Sequence, residues 1–71
     1  MERTAIGGVR LTGREYDVLT LLAQGLQLEE IAARLGIGSE TVRTHVRKAS
    51  ERLGAANRTH AVAIAIRRKL I

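Results

Sequence analysis

Apolar residues recur at helical spacing in three successive segments of this 71-residue chain, and a glycine closely follows each segment. These glycines are Gly25, Gly36 and Gly54, at positions where a left-handed residue typically ends a helix. The chain contains no proline, so glycine is its main break signal. The pattern predicts three helices in succession and restricts the chain to a small helical domain.

A fourth helix is predicted after Asn57, which is a favourable N-cap residue. The first helix opens with a capping box between Thr12 and Glu15. The expected helix bounds are residues 12–24, 28–35, 39–53 and 58–70. We therefore expect an all-α, four-helix domain over residues 11–71, preceded by a flexible lead-in of residues 1–10 with no element of its own.

Two positions leave alternatives open. Glu15 is assigned to the cap of the first helix, but it is in phase with Val18 and Leu19 and could also be partly buried and pair with Arg52. Position 38 is a glycine, so the N-cap of the third helix is either Gly38 itself or the next residue.

The third predicted helix has one apolar and one mostly basic face. Its apolar stripe consists of Val42, Val46, Ala49 and Leu53, while Arg43, Thr44, Arg47 and Lys48 point the opposite way. The charge is also uneven along the chain, because residues 1–42 contain four basic and six acidic residues, whereas residues 43–71 contain eight basic and one acidic residue. The basic segment, residues 43–71, is suited to a polyanionic partner.

The fourth predicted helix is too apolar to have only one buried face. Val62, Ile66 and Leu70 follow one another at i, i+4 and i+8. They could complete the core, but Ala61, Ile64 and Ala65 can do that already. We therefore predict that Val62, Ile66 and Leu70 form a dimer contact.

Several classes of function are disfavoured. The chain has no cysteine and only two histidines, His45 and His60, so we expect no disulfide, no metal site and no cofactor. Neither a catalytic triad nor a phosphate loop is present at recognisable spacing, which predicts that the chain is not an enzyme and has no catalytic residue or small-molecule substrate. No apolar run is long enough to span a bilayer, and we expect a soluble, cytoplasmic domain.

A basic helix that follows a short helix and a glycine-containing turn is typical of a helix-turn-helix, whose second helix enters the major groove of DNA. More specific segments surround it: L-T-x-R-E at 11–15, V-L at 18–19, A-x-G at 23–25, E-I-A at 30–32, L-G-I at 35–37, T-V-x-x-H at 41–45 and N-R-T-x-A-V at 57–62. Over roughly residues 11–66 the chain resembles the LuxR-type helix-turn-helix domain, also called the FixJ or GerE type.

The resemblance implies a transcription regulator, commonly the C-terminal output domain of a response regulator or a quorum-sensing regulator. It implies double-stranded DNA as the partner, a third helix that reads the major groove and a homodimer formed through the fourth helix. Carried over by position, the base-reading residues would be Arg43, Thr44 and Arg47. The phosphate contacts would be Thr41, His45 and Lys48, to which Arg52 is added as a backbone charge.

Two alternatives stay open at this point. E-I-A, L-G-I and a basic helix also occur in sigma-factor region 4, which would make RNA polymerase a partner, although the T-V-x-x-H and N-R-T-x-A-V segments favour the LuxR type. The apolar fourth helix with its basic end, residues 67–69, could instead bind a membrane surface or a partner helix.

Overall fold

The computed structural model describes residues 3–4 and 10–71, which contain four helices and one short strand pair. The helices are α1 (Gly13–Ala23), α2 (Leu28–Leu35), α3 (Ser39–Leu53) and α4 (Arg58–Arg67). The four-helix fold is thus confirmed. The bounds of α2 and α3 agree with the predicted ones, and those of α1 differ by one residue at each end because Thr12 and Gln24 are its caps.

The strand pair consists of β1 (Arg3–Thr4) and β2 (Arg10–Leu11), which are antiparallel with Arg3 opposite Leu11. The prediction of no element within residues 1–10 is therefore wrong for these strand residues. Two residues are too few to show the alternation by which a strand is detected in a sequence. The expected flexibility of the lead-in mainly concerns residues 1–2 and 5–9, which lie outside the described residues, and it stays a prediction.

The starts of α1 and α4 are held by side chains that the sequence identified. The Thr12 hydroxyl accepts from the Glu15 N–H at 3.1 Å, and the Glu15 carboxylate accepts from the Thr12 N–H at 2.9 Å, which completes the capping box. The Asn57 side chain accepts from the His60 N–H at 2.9 Å and caps α4. The N-cap of α3 is Gly38, which has no side chain to bond the free backbone N–H groups.

Three helices end at the predicted glycines, all of which have positive φ: 95° at Gly25, 69° at Gly36 and 67° at Gly54. At the end of α1 the Gly25 N–H donates to the Leu22 carbonyl, and the Leu26 N–H donates to the Leu21 carbonyl. This is the Schellman arrangement, which satisfies the last carbonyls of a helix and turns the chain sharply.

The end of α4 differs from the prediction, because the helix stops at Arg67 instead of residue 70. Lys69 has a φ of 58° and occupies the position that glycine holds in the other helix ends. The Leu70 N–H donates to the Ala65 carbonyl at 2.8 Å, and the Lys69 N–H donates to the Ile66 carbonyl at 3.0 Å. This Schellman turn takes Leu70 away from the helix axis and into the interior, where it is fully buried.

The core has two parts, and α3 contributes to both. The first lies among β2, α1, α3, α4 and the turn after α4, and is formed by Leu11, Leu19, Ala49, Leu53, Ala61, Ile64, Ala65 and Leu70. The second lies among α1, α2 and α3, and is formed by Val18, Leu28, Ile31, Ala32, Val42 and Val46. Because all four apolar residues of the α3 stripe are buried, the opposite face of α3 is fixed toward the outside.

Candidate nucleic-acid interface

The outer face of α3 presents the three predicted base-reading side chains. The Arg43 and Arg47 side chains are 50% and 61% exposed, and Thr44 is half-buried. The Thr44 hydroxyl donates to the Glu40 carbonyl at 3.1 Å, which commits its hydrogen to the backbone and leaves the methyl group for an apolar contact. These residues lie at i, i+1 and i+4, so they occupy one side of the helix.

Both arginines pair with carboxylates in the free protein. Arg43 Nη2 lies 3.8 Å from Glu29 Oε2 of α2, and Arg43 Nη1 lies 3.9 Å from Glu40 Oε2. Arg47 Nη1 lies 3.7 Å from Glu51 Oε2, one turn further along α3. Exposed ion pairs of this length stabilise a protein by about 0–1 kcal/mol. The two guanidinium groups can therefore exchange these partners for a ligand at small cost.

The Glu29 contact was not predicted from the sequence. Glu40 and Glu51 are within four residues of the arginines they pair with, so their spacing on one helix indicates the pairs. Glu29 lies on α2, 14 positions before Arg43, and no local pattern links them. Only the packing of α2 against α3 brings them together.

The predicted phosphate contacts fall into two groups. Thr41 and Lys48 are exposed and His45 is half-buried, so all three have accessible surface near the outer face of α3. Within the described part of the chain, Lys48 has no carboxylate within ion-pair distance. These three residues remain candidates for contact with phosphate.

Arg52 occupies a different environment from the other candidates. Its Nη2 donates to Glu15 Oε2 at 3.1 Å, and the Glu15 side chain is only 2% exposed, whereas that of Arg52 is 46% exposed. Both roles considered for Glu15 are therefore present, since it caps α1 and also pairs with Arg52. In the protein without a ligand, Arg52 already connects the end of α3 to the start of α1.

The predicted dimer residues are divided by the end of α4. Ile66 is 54% exposed and is the one large apolar side chain so exposed among the described residues. Val62 is half-buried against the core. Leu70 is fully buried in the same core, so its assignment to the dimer surface is corrected: the Schellman turn directs its side chain inward, and it has no surface to offer a partner.

The described residues contain no group of three or more His, Cys, Asp or Glu side chains that could hold a metal ion. No helix in this part of the chain has the length and hydropathy needed to cross a membrane. The main candidate site is thus the outer face of α3, which carries two guanidinium groups and a threonine methyl group within about one helical turn.

The profile described as bacterial regulatory proteins of the luxR family matches residues 9–65. The chain belongs to the LuxR family. Over all 71 residues it is 45% identical to the transcriptional activator protein BjaR1 of Bradyrhizobium diazoefficiens, of which it covers 29%. The domain described here is therefore a LuxR-type DNA-binding domain of transcription regulators.

Solved structures of LuxR-type proteins have the same fold. The transcription factor GerE gives a TM-score of 0.77 at 33% identity, over 80% of this chain and 85% of GerE. The LuxR-type receptor VqmA of Vibrio cholerae gives a TM-score of 0.82 at 32% identity, over 87% of this chain and 27% of VqmA. This LuxR-family chain thus spans less than a third of BjaR1 and of VqmA.

Proposed function

We propose that this LuxR-type domain regulates transcription by binding a specific sequence of double-stranded DNA as a symmetric dimer, with α3 in the major groove. The observation that supports this proposal is the outer face of α3. Arg43, Thr44 and Arg47 are accessible there, while the opposite face of the same helix is buried in both parts of the core. A helix held in this way can present its side chains to base edges without a change in the fold.

The side chains on this face suit the chemistry of the major groove. An arginine fork donates to O6 and N7 of guanine together, which discriminates against other bases by about 1–3 kcal/mol. The Thr44 methyl group can contact the methyl group of thymine. Since both arginines leave only weak exposed ion pairs, most of the energy of each base contact is available for binding and selectivity.

Phosphate contacts would orient α3 without selecting a sequence. We assign them to Thr41, His45 and Lys48. Arg52 is a weaker candidate than the sequence indicated, because a DNA phosphate would compete with the buried Glu15 carboxylate for the same guanidinium group.

The dimer is proposed to form through α4, with Ile66 at its centre and Val62 beside it. Ile66 is the one large apolar side chain that is exposed among the described residues, and a second copy of the chain would remove it from water. VqmA is described as a dimer, which supports a dimeric state for this LuxR-type domain. The two recognition helices would then meet half-sites about one helical turn apart.

Neither alternative from the sequence is carried forward. The sigma-factor alternative, with RNA polymerase as partner, rested on segments that the LuxR family also contains, and the family match covers the segments that distinguish the two. A membrane-surface role for α4 would need a broad apolar face, but Ala61, Ile64 and Ala65 are buried in the core. A DNA-binding role agrees with the predicted cytoplasmic location.

The experiment that tests the proposal is selection from a random DNA duplex pool at about 150 mM salt, followed by affinity measurements over a salt series. We expect wild-type protein to enrich an inverted repeat. We expect Arg43→Ala and Arg47→Ala each to relax the preference at a defined base by about tenfold, the equivalent of about 1.4 kcal/mol.

Lys48→Ala is the matched control, because it removes one positive charge from the same helix at a predicted phosphate contact. It should weaken binding to all sequences alike and reduce the salt slope by about one. If both arginine variants keep the wild-type base preference, the assignment of α3 as the reading helix is wrong.

A further inference from the structure

Glu40 extends the line of predicted base-reading residues by one helical turn toward the start of α3. Glu40, Arg43, Thr44 and Arg47 lie at i, i+3, i+4 and i+7, which places all four on one face. The Glu40 side chain is 85% exposed and belongs to the first turn of α3. In a helix-turn-helix the residues near the start of the recognition helix are the ones that meet base edges.

The spacing between Glu40 and Arg43 fits two adjacent base pairs. Glu40 Oε2 lies 3.9 Å from Arg43 Nη1, which is close to the rise of about 3.4 Å between successive bases on one strand. One group is only an acceptor and the other only a donor. Because the pair is exposed, it contributes little to stability, and each group can exchange its partner for a base edge.

The chemistry of the major groove limits what a carboxylate can contact there. The edges of guanine and the O4 atom of thymine are acceptors, and the phosphates are negatively charged, so all of them repel a carboxylate. The donors are the amino groups of cytosine and adenine, and Glu pairs with the cytosine N4 amino group. A carboxylate placed against the acceptor edge of guanine or against thymine O4 would lose water without gaining a hydrogen bond.

Resting on the proposed DNA-reading role of α3, we propose that Glu40 is a further specificity-determining residue that selects a cytosine next to the base read by Arg43. It accepts a hydrogen bond from cytosine N4 and rejects sequences that place an acceptor at that point. Glu40 would also be expected in the first helical turn for its favourable interaction with the helix N-terminus, and the test must separate this structural role from base selection.

The test is the same duplex selection carried out with wild-type protein, Glu40→Gln and Glu40→Ala. We expect cytosine at one position of each wild-type half-site, next to the base that Arg43→Ala relaxes. Glu40→Gln should shift that position to adenine, because an amide can both donate to N7 and accept from N6. Glu40→Ala should lose discrimination there by about tenfold, and other positions should be unchanged.

Glu51→Gln is the matched control, since Glu51 pairs with Arg47 at 3.7 Å on the same helix and the variant makes the same change in charge. It should raise affinity for all duplexes slightly and keep every base preference. Circular dichroism should show that all variants are folded.

Two outcomes would overturn the proposal, and they differ from failure of the proposed function. If Glu40→Gln and Glu40→Ala change affinity uniformly while Arg43→Ala still relaxes one base, Glu40 has only its structural role. If wild-type protein enriches a site with no cytosine next to the base that Arg43→Ala relaxes, Glu40 does not accept from cytosine N4. If wild-type protein enriches no sequence, the DNA-reading role of α3 itself fails.

Discussion

Glu15 is the one buried charged residue among the described positions, at 1% exposure. One of its carboxylate oxygens accepts from the Thr12 N–H and the other accepts from Arg52. Burial of a carboxylate is costly unless its oxygens have partners. Arg52 therefore stabilises the fold by supplying the charge that Glu15 needs, and it fixes the end of α3 relative to the start of α1.

This role predicts that Arg52→Ala lowers the free energy of unfolding by about 1–3 kcal/mol, the cost of leaving a buried polar group without its partner. Arg52 is half-exposed, so water compensates part of the loss. The measurement is thermal unfolding followed by circular dichroism, where about 1 kcal/mol corresponds to a shift in Tm of about 4–8 °C for a domain of this size.

Lys48→Ala is the control for that measurement, because Lys48 is exposed and lies four residues earlier on the same helix. Its Tm should stay within about 4 °C of the wild-type value, since most exposed substitutions change stability by less than about 0.5 kcal/mol. Equal Tm values for Arg52→Ala and Lys48→Ala would show that the Glu15 pair does not stabilise the fold.

At the residue scale, the sequence predicted which face of a helix a side chain occupies better than it predicted the ion-pair partner of that side chain. The face of α3 that carries Arg43 and Arg47 followed from helical periodicity alone. The pairing of Arg43 with Glu29 was not predicted, and the pairing of Arg52 with Glu15 was predicted only as an alternative. In both pairs the carboxylate lies on another helix, so the contact depends on how the helices pack. Leu70 was misplaced because a lysine, and not a glycine, occupies the left-handed position at the end of α4.

At the scale of elements, α3 begins without a side-chain cap because its N-cap residue is a glycine. Gly38 is its N-cap, with φ −75° and ψ 154°, a backbone conformation that any L-residue adopts. A Cβ at this position would meet only Thr41 Oγ1, at an ordinary contact distance of 4.0 Å. A hydroxyl added here could bond a free backbone N–H of the first turn.

We therefore predict that Gly38→Ser raises the free energy of unfolding by about 0.5–1 kcal/mol. Serine supplies the missing cap and also restricts the unfolded chain more than glycine does. Thermal unfolding should show a Tm increase of about 2–8 °C, and the affinity for DNA should be kept because the base-reading residues are unchanged.

Gly54→Ser is the contrasting variant. Gly54 has a φ of 67°, and a Cβ added to it would meet no atom within 4 Å. The cost of the substitution therefore arises from the left-handed backbone alone, at about 1–2 kcal/mol. A lower Tm for Gly38→Ser than for wild-type protein would mean that the first turn of α3 requires glycine for a reason other than its cap.

The glycines explain why helix bounds were predicted well. Gly25, Gly36 and Gly54 each end a helix by a mechanism that is local in sequence. The capping residues at the helix starts also act on backbone groups that are close to them in sequence. The β1–β2 pair and the end of α4 were missed because two-residue strands have no periodicity and a Schellman turn at lysine has no sequence signal of its own.

At the scale of the whole molecule, the arrangement of charge and apolar surface separates the proposed DNA face from the proposed dimer face. The outer face of α3 carries the groups that suit bases and phosphates. Ile66 is exposed on α4, whereas Ala61, Ile64 and Ala65 of the same helix are buried. A monomer would leave this isoleucine in water, whereas a symmetric dimer would bury it and place two copies of α3 for two half-sites.

Replacing Ile66 with glutamate tests that arrangement. A carboxylate at the centre of a symmetric contact would face its own copy, where it is both desolvated and repelled. Wild-type protein should bind an inverted repeat more tightly than a single half-site. We expect the ratio of these two affinities to fall at least about tenfold in the variant. Its Tm should change little, because Ile66 is more than half exposed.

The measurements are sedimentation of the protein and affinity for the full and half-site duplexes found by selection. Ala33→Glu is the control, because it places the same charge on an exposed position of α2, where a dimer through α4 makes no contact. Ile66→Glu should lose the preference for the full site while still reading the half-site bases, since α3 is unchanged. If sedimentation and the full-site advantage are the same for Ile66→Glu, Ala33→Glu and wild-type protein, α4 is not the dimer surface.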